Sequence, residues 1–462
     1  MTDAGALARA RRAYLIAAAG CGKTHLIADA VECTPDDRQL ILTHTNAGVD
    51  VLRRRLAGRG IPDRRAHVET ISGFALRYAA AYPGTCRVDV TQPAGAGWRD
   101  VQRGAARFLA TRAGRAVIAD SYGGLYVDEY QDCTQYQHRL IRELAEVLPT
   151  RLLGDPMQAI FDFTGEPLVN LNAFDGDFER LEDLAIPWRW VTTNPLLGEW
   201  LLDARRCLLA GRDPDFRGGP LHLRRAGNVS KMTCTPEQVS ACKDHGNADS
   251  VVAIRRLQHA AHETASKLRG VFTSMEEMDC RELFAAADKL DRTSGPARAV
   301  TLLGFASRCM TKVSTYLSAA SKTIAAGKTP ATRAGRAAPA IRALALAAAN
   351  DTPANLLSAL REMTKLPDVV LYRAELYDEM CRTLQRAEHA PSQPYHDLAW
   401  SVRDQTRRHG RPPHGRVISR TLLVKGLEFD HALILDYGEL SSATEKYVAL
   451  TRPRRSLTVL LR

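Results

Sequence analysis

The stretch that decides the fold runs Tyr14-Leu15-Ile16-Ala17-Ala18-Ala19-Gly20-Cys21-Gly22-Lys23-Thr24, followed by His25-Leu26-Ile27. It has the pattern of a short buried strand, a glycine-rich turn and the start of a helix, which is the context of a phosphate-binding loop. Gly20 and Gly22 let backbone amides turn inward around phosphate oxygens, and the helix N-terminus favours an anion. The strict pattern has glycine where this chain has Ala17. The predicted phosphate contacts are Ala19, Gly20, Cys21, Gly22, Lys23 and Thr24.

Side chains suited to nucleotide hydrolysis occur in the loop and about a hundred residues later. The Lys23 ammonium is predicted to reach the β- and γ-phosphates, and the Thr24 hydroxyl to coordinate Mg²⁺. The apolar run 125–127 ends in two carboxylates, Asp128 and Glu129. Asp128 is predicted to hold Mg²⁺, and Glu129 to position and deprotonate the attacking water. An acidic turn is the alternative, but together with the loop this pair predicts ATP and Mg²⁺ as cofactors.

Two further segments bear on this prediction. Leu152-Leu153 opens into Gly154-Asp155-Pro156-Met157-Gln158, which by itself is typical of an ordinary strand and turn. Gln158 is predicted to reach the γ-phosphate or the attacking water. A second Gly-Lys-Thr at residues 327–329 has no strand or glycine before it, so we interpret it as a chance match.

Composition narrows the class of protein. The chain has 462 residues, a formal net charge of +11 and a pI of about 9.2, which fits a polyanionic partner but also occurs in basic proteins that bind none. Its ten cysteines form no C-x-x-C pair, which argues against a zinc ribbon and a disulfide framework. Arg11-Arg12 and the apolar residues 13–19 resemble a short export signal, but cleavage there would cut the phosphate loop. No apolar run approaches the roughly 18 residues of a membrane span, so we expect a cytoplasmic chain with no membrane partner.

The order of the motifs resembles that of the superfamily 1A helicases, the UvrD, Rep and PcrA group. Residues 17–24 resemble that family's A-G-A-G-x-G-K-T loop, with Ala18 for the usual glycine, and residues 128–132 match D-E-x-Q-D. Further resemblances, reaching residue 452, are Leu42–Ala47, Thr70–Phe74 for T-x-H-S-F, Gly154–Phe161 for G-D-x-x-Q-S-I-Y, Pro187–Trp190 for N-Y-R-S, Val251–Arg255 for I-L-V-R, Lys425–Asp430 for K-G-L-E-F-D and Tyr447–Arg452 for Y-V-A-L-T-R.

This resemblance implies roles for residues outside the loop. Arg189 and Arg452 would be arginine fingers from the second motor domain, which stabilise the charge that develops on the γ-phosphate. Glu428 would contact the ribose. The residues expected to contact single-stranded DNA are Thr45, Asn46, Phe74 and Phe163.

Two departures from the family pattern weaken the expected contacts. No glutamine precedes Gln39, so the usual adenine-reading glutamine upstream of the loop is missing. Thr164 stands where the family often has an arginine beside the strand, which removes one phosphate contact. The resemblance therefore supports hydrolysis more strongly than it supports selectivity for adenine or tight binding of DNA.

The predicted fold class is α/β, with two RecA-like P-loop domains on parallel sheets. The first would span residues 1–180, with strands near Tyr14, Leu40, Val68, Val127 and Leu152 and a small insertion at about 78–120. The second would combine residues 181–265 and 416–462. Residues 266–415 would form a mostly helical second insertion.

Three functions remain open at this point. The first is a 3′→5′ helicase or translocase on single-stranded or partly duplex DNA. The second is a helicase-fold regulatory ATPase with a nuclease or another protein as partner, as in some phage-defence systems. The third is an RNA-dependent ATPase. The basic residues Arg403, Arg407, Arg408, Arg411 and Arg416 indicate either a duplex-contacting patch or a solvated linker, with Trp400 expected in the core.

Overall fold

The structure is a computed structural model. It describes residues 3–34, 37–89, 97–160, 166–171, 177–228, 233–246, 248, 250–277, 280–332, 335–409 and 415–462. For residues 407–409 it describes the backbone only. The chain forms two compact units, the first of Met1–Leu221 with Ser441–Ser456 and the second of His222–Leu440 with Leu457–Arg462. In the described part of the chain, no helix has the length and apolar character needed to cross a membrane.

The first unit is built on a six-stranded sheet ordered β3-β2-β4-β5-β1-β6. All its pairings are parallel. The strands confirm the five that the apolar runs predicted and add a short sixth one. They are β1 Arg12–Ile16, β2 Gln39–Thr43, β3 Ala66–Thr70, β4 Gly124–Val127, β5 Thr150–Gly154 and β6 Glu179–Arg180.

Side chains of this sheet alternate between two hydrophobic clusters, one on each face. Leu40, Leu42 and Leu152 belong to one cluster, whereas Ile41 and Leu153 belong to the other. A parallel sheet covered on both faces needs apolar residues at consecutive positions, because successive side chains point to opposite sides. This is why the strands are nearly continuous apolar runs in the sequence.

Helices cover both faces of the first sheet. Several begin at a threonine whose hydroxyl accepts a backbone N–H, as in α8, where Thr134 and Gln137 form a capping box. Helices α5 to α7 occupy the region where a small insertion was predicted. The helices of this unit are α1 Ala4–Arg9, α2 Lys23–Glu32, α3 Asn46–Gly58, α4 Ile71–Ala81, α5 Pro83–Cys86, α6 Gly97–Leu109, α7 Arg112–Ser121, α8 Gln135–Ala145, α9 Trp188–Val191, α10 Pro195–Leu209 and, late in the chain, α20 Ala443–Leu450.

The second unit contains another six-stranded sheet, ordered β7-β12-β11-β8-β10-β9. Its described pairings are also parallel. Its strands are β7 His222–Arg225, β8 Val251–Ile254, β9 Thr273–Ser274, β10 Arg416–Ser419, β11 Phe429–Ile434 and β12 Pro453–Leu461. Helices α11 Pro236–Lys243 and α12 Gln258–Lys267 lie between its first strands in the chain. Two parallel-sheet α/β units confirm the predicted fold class.

A helical region with its own hydrophobic core completes the second unit. Leu302, Leu356 and Leu376 are among its fully buried residues. It lies within the segment for which a mostly helical insertion was predicted. Its helices are α13 Arg281–Asp291, α14 Gly295–Cys309, α15 Val313–Ala325, α16 Ala338–Ala349, α17 Pro353–Thr364, α18 Ala374–His389 and α19 Tyr395–His409.

Two of the five basic residues at the end of this region are described with their side chains, and both make contacts within the protein instead of lying free for a duplex. Arg403 is fully buried, and its guanidinium pairs with Glu375 at 2.8 Å and Glu379 at 2.6 Å. Arg416 donates to the backbone oxygens of Val271 and Gly246. The side chains of residues 407 and 408, and residue 411, lie outside the described part of the chain. The expectation that Trp400 lies in the core was wrong, since its side chain is 38% exposed on α19.

Candidate active site

Topology brings the predicted hydrolytic residues to one edge of the first sheet. The carboxyl ends of parallel strands meet at the same edge, where open α/β sheets bind ligands. The phosphate loop follows β1, Asp128 follows β4 and Asp155 follows β5, and these three strands are neighbours in the order β4-β5-β1. In register, Ile16 pairs with Gly154 and Val127 with Leu152, so the loops leave the sheet at the same edge, with β4 ending two residues earlier.

The loop has the backbone shape that its glycines predicted. Gly20 has φ +75° and Gly22 has φ +88°, which are left-handed conformations that favour glycine. Gly22 caps the N-terminus of α2, which begins at Lys23. The Lys23 side chain is buried, and its Nζ donates to Ala17 O at 3.0 Å, which holds the ammonium beneath the loop. Burial raises the pKa of Cys21 to about 11, so its thiol is not an activated nucleophile.

The two predicted Mg²⁺ ligands are in direct contact. Thr24 Oγ1 donates to Asp128 Oδ2 at 3.1 Å. Burial, followed by repulsion from Glu129, raises the pKa of Asp128 to about 6. A buried carboxylate beside a hydroxyl and a second carboxylate is a donor set that fits a hard, oxygen-preferring cation shared with phosphate oxygens. Glu129 follows in a left-handed conformation with φ +57°, which is uncommon for a residue other than glycine and recurs at functional sites.

Gln158 lies in a short 3-10 turn, residues 156–158, immediately after β5. Its Nε2 donates to Asp155 Oδ2 at 2.9 Å, and both residues are buried. The backbone N–H of Asp155 donates to Gln131 Oε1 at 2.9 Å. Gln131 Nε2 in turn donates to Glu129 Oε2. The predicted water-activating residues Glu129 and Gln158 therefore belong to one hydrogen-bonded set.

The segments that contain Arg189 and Arg452 pack on the phosphate loop. The backbone N–H of Arg189 donates to Gly20 O at 3.1 Å, and its Nη1 donates to Thr451 O at 2.7 Å. Arg452 is almost fully buried, and its Nε donates to Val448 O at 2.7 Å. The family resemblance implied that both arginines come from the second motor domain. In this structure they belong to the first unit, because α9 and the chain around Arg452 are joined to each other and to the loop by these bonds.

The residues predicted to contact nucleic acid lie in different surroundings, some at the edge of the sheet and one in the hydrophobic core. Thr45 caps α3 by accepting the N–H of Gly48 at 3.0 Å, and Asn46 is the first residue of that helix. Both are at the carboxyl end of β2, at the edge described above. Phe74, however, is fully buried in the hydrophobic core, 4.7 Å from the ring of Tyr78. This placement does not support base stacking by Phe74, and Phe163 lies outside the described residues.

Glu428 is exposed and belongs to the second unit, between the 3-10 turn of residues 421–424 and β11. Its predicted ribose contact stays a prediction.

Three side chains contribute to the site although the sequence assigned them no role. Tyr447 Oη accepts the N–H of Ala19 at 3.0 Å in a buried position. Trp188 is 57% exposed, and a Cβ built on Gly22 would lie 3.1 Å from its Cδ1, so the indole flanks the loop. Arg205 forms an ion pair with buried Asp155 at 2.8 Å. Tyr447 and Trp188 lie in motifs that the resemblance identified, whereas no pattern marks Arg205.

Comparison with known proteins supports the motif interpretation. Residues 99–179 match the family model of the UvrD/REP helicase N-terminal domain, a stretch that includes Asp128, Glu129 and Gln158 but not the phosphate loop. No curated protein matches the chain. Among solved structures, an arterivirus helicase, nonstructural protein 10, is similar over 99% of this chain and 61% of its own length, with 10% identity and a TM-score of 0.35. The chain thus spans less than two thirds of that helicase. The match over residues 99–179 confirms the resemblance to superfamily 1 helicases.

Proposed function

Because the chain is related to the superfamily 1 helicases, we propose that it is a DNA-dependent ATP hydrolase acting as a 3′→5′ DNA helicase or single-stranded DNA translocase. The observation that carries the proposal is the 3.1 Å contact of Thr24 with Asp128, which joins the phosphate loop to the carboxylate pair. These two segments are about a hundred residues apart in the sequence, and ATP hydrolysis is the chemistry that needs them together.

Each residue of this site has a proposed task. The loop amides and Lys23 bind the β- and γ-phosphates, while Thr24 and Asp128 would hold Mg²⁺, which neutralises charge on the phosphate oxygens. Glu129 accepts a proton from the attacking water. Gln158 orients that water or the γ-phosphate.

The arginines and the exposed tryptophan complete the proposed nucleotide site. Arg189 is hydrogen-bonded to Gly20 through its backbone, which places it beside the loop, and its guanidinium would reach a phosphate there after releasing Thr451 O. The Arg452 guanidinium donates to Val448 O, one helical turn earlier in the chain, and would reach a phosphate only after releasing that oxygen. Trp188 offers an exposed aromatic surface beside the loop, where a nucleobase would stack in the absence of an upstream glutamine.

Two helix N-termini at the same edge of the sheet support the proposed binding of a nucleic-acid strand. Helices α3 and α4 begin directly after the neighbouring parallel strands β2 and β3, so both N-termini lie on one side. Each is capped by a threonine, Thr45 or Thr70, with the next backbone amides at the helix start. Helix N-termini attract phosphates, and the net charge of +11 favours a polyanion.

The nucleotide half of the proposal is tested by ATP hydrolysis in the presence of single-stranded DNA, with Lys23→Ala compared with the wild type. We expect turnover to disappear in Lys23→Ala. A matched control is Lys328→Ala, which alters an exposed lysine in the second Gly-Lys-Thr, just after α15, and should leave turnover unchanged. Substantial turnover in Lys23→Ala would refute the assignment of the loop.

The nucleic-acid half is tested with duplexes that carry a 3′ or a 5′ single-stranded tail, and with RNA strands of the same sequence. Displacement from the 3′-tailed DNA duplex alone is the expected result. Preferential stimulation by RNA would replace DNA by RNA as the substrate, and displacement only from the 5′-tailed duplex would contradict the polarity.

The burial of Phe74 favours one second candidate, a helicase-fold regulatory ATPase within a complex that contains a nuclease or another protein. A chain with one base-stacking residue fewer holds a strand less tightly, by roughly 1–3 kcal/mol per base. Under this alternative the purified chain would hydrolyse ATP yet displace no strand with either tail.

A further inference from the structure

Asp155 is a fully buried carboxylate directly after β5. Its Oδ1 accepts from Met157 N at 3.2 Å and from Arg205 Nη2 at 2.8 Å, and its Oδ2 accepts from Gln158 Nε2 at 2.9 Å. A buried carboxylate is strongly disfavoured unless it is paired and hydrogen-bonded. The orientation of the Asp155 carboxylate therefore depends on Arg205, which supplies the positive charge and one of the three bonds.

Both groups proposed to act on the water are connected to Asp155, one to its carboxylate and the other to its backbone. Gln158 is bound to the carboxylate directly. Glu129 is connected in two steps, because the backbone N–H of Asp155 donates to Gln131 Oε1 and Gln131 Nε2 donates to Glu129 Oε2. A shift of the Asp155 carboxylate would therefore displace Gln158, whereas only a shift of the Asp155 backbone would also displace Glu129.

The other side of Arg205 faces the phosphate loop through Tyr447. The guanidinium carbon lies 5.9 Å from the centre of the Tyr447 ring, and Tyr447 Oη accepts the Ala19 N–H. Arg205 comes from the interior of α10, a fifteen-residue helix, which is a rigid support for a positioning side chain.

We propose that Arg205 is a positioning residue for ATP hydrolysis, which orients Gln158 by fixing the carboxylate of Asp155. This inference rests on the proposed function of the site. Arg205 acts through Asp155, so its loss should slow the chemical step and leave the binding of ATP nearly unchanged.

The test is steady-state ATP hydrolysis at saturating single-stranded DNA for Arg205→Met. We expect kcat to fall roughly 10- to 100-fold, the size that a small misplacement of reacting groups produces, with KM for ATP within about twofold of the wild type. The matched control is Arg206→Met, because its side chain is 77% exposed on the same helix, against 18% for Arg205. Arg206→Met should keep wild-type kcat and KM.

Two more variants separate positioning from folding. Arg205→Lys keeps the charge but loses the planar fork, so its kcat should lie between those of the wild type and Arg205→Met. The double variant Arg205→Met with Asp155→Asn leaves no buried carboxylate unpaired. It should fold, as judged by circular dichroism, with kcat about as low as in Arg205→Met, because residues that act as a unit are not additive.

The outcomes distinguish this inference from the proposed function. If the wild type hydrolyses ATP and Glu129→Gln does not, a kcat within about twofold of wild type in Arg205→Met overturns the positioning role alone. Should Arg205→Met not fold, full kcat in the double variant overturns it. An equal loss in Arg206→Met does so too. If the wild type hydrolyses no ATP with DNA or RNA, the proposed function fails and this inference fails with it.

Discussion

Replacing Gly20 by alanine should destabilise the first unit through the packing of α9 on the phosphate loop. A Cβ at residue 20 would collide with Cζ3 of Trp190 and lie 2.9 Å from its Cη2. The indole has no room to yield, because it is fully buried and its Nε1 donates to Pro453 O at 2.7 Å. The backbone at Gly20 is also left-handed, with φ +75°, which alanine adopts at a cost.

The magnitude follows from these two effects. A left-handed alanine costs about 1 kcal/mol, and overpacking a rigid site costs roughly 1–3 kcal/mol more. Gly60→Ala separates them, since Gly60 has φ +70° but no atom within 4 Å of the place that an alanine methyl group would take. Gly60→Ala should therefore lower the free energy of unfolding by about 1 kcal/mol, and Gly20→Ala by about 2–4 kcal/mol.

The assay is urea denaturation of the full chain followed by circular dichroism, together with ATP turnover of the folded variants. Gly20→Ala should show the larger loss of stability and a strong loss of turnover, because the loop amides move. Gly60→Ala should keep wild-type turnover. Equal stability of the two variants would refute the packing of Trp190 against the loop.

Two other predictions concern buried polar groups. Tyr447→Phe removes the acceptor of the Ala19 N–H and should cost roughly 1–3 kcal/mol of stability, measured by urea denaturation; no change would contradict the bond. His262 has a pKa lowered to about 3 by burial and then by nearby Arg373, His259 and Arg420, so below pH 6.5 the unfolded chain binds a proton that the folded chain does not. Stability should therefore fall by about 1.4 kcal/mol between pH 7.5 and 5.5 through this residue, and His262→Gln should reduce that loss, whereas the exposed His389→Gln should not. An unchanged pH dependence in His262→Gln would contradict the lowered pKa.

The strands and loops of the first sheet could be predicted from the sequence because each depends on local residues. A strand buried on both faces is a short apolar run, and glycines mark the turn after it. The conformations of Gly20 and Gly22 and the contact of Thr24 with Asp128 follow from that local pattern together with the parallel order of the strands.

Features that depend on distant residues were not predictable in the same way. Phe74 occupies a motif position typical of a DNA contact, yet it is buried in a hydrophobic cluster with Tyr78 and residues of α6. Arg403 stands in a basic stretch, but two glutamates on α18 pair with it. Residues 181–221 were assigned to the second domain by motif order, whereas their contacts place them in the first compact unit.

The proposed role of Arg205 also depends on residues that are distant in the sequence. Its sequence neighbours, Asp203 and Arg206, form an exposed ion pair, and nothing local distinguishes Arg205 from them. Only the fold brings its guanidinium to Asp155, 50 residues earlier in the chain.

The most direct test of the account is the rate of ATP hydrolysis by the purified wild type and by Glu129→Gln, each with and without single-stranded DNA. Glutamine keeps the size of the side chain but cannot accept the proton of the attacking water. We expect turnover that DNA stimulates strongly in the wild type and that is absent in Glu129→Gln. DNA-stimulated turnover that persists in Glu129→Gln would contradict the assignment of the active site.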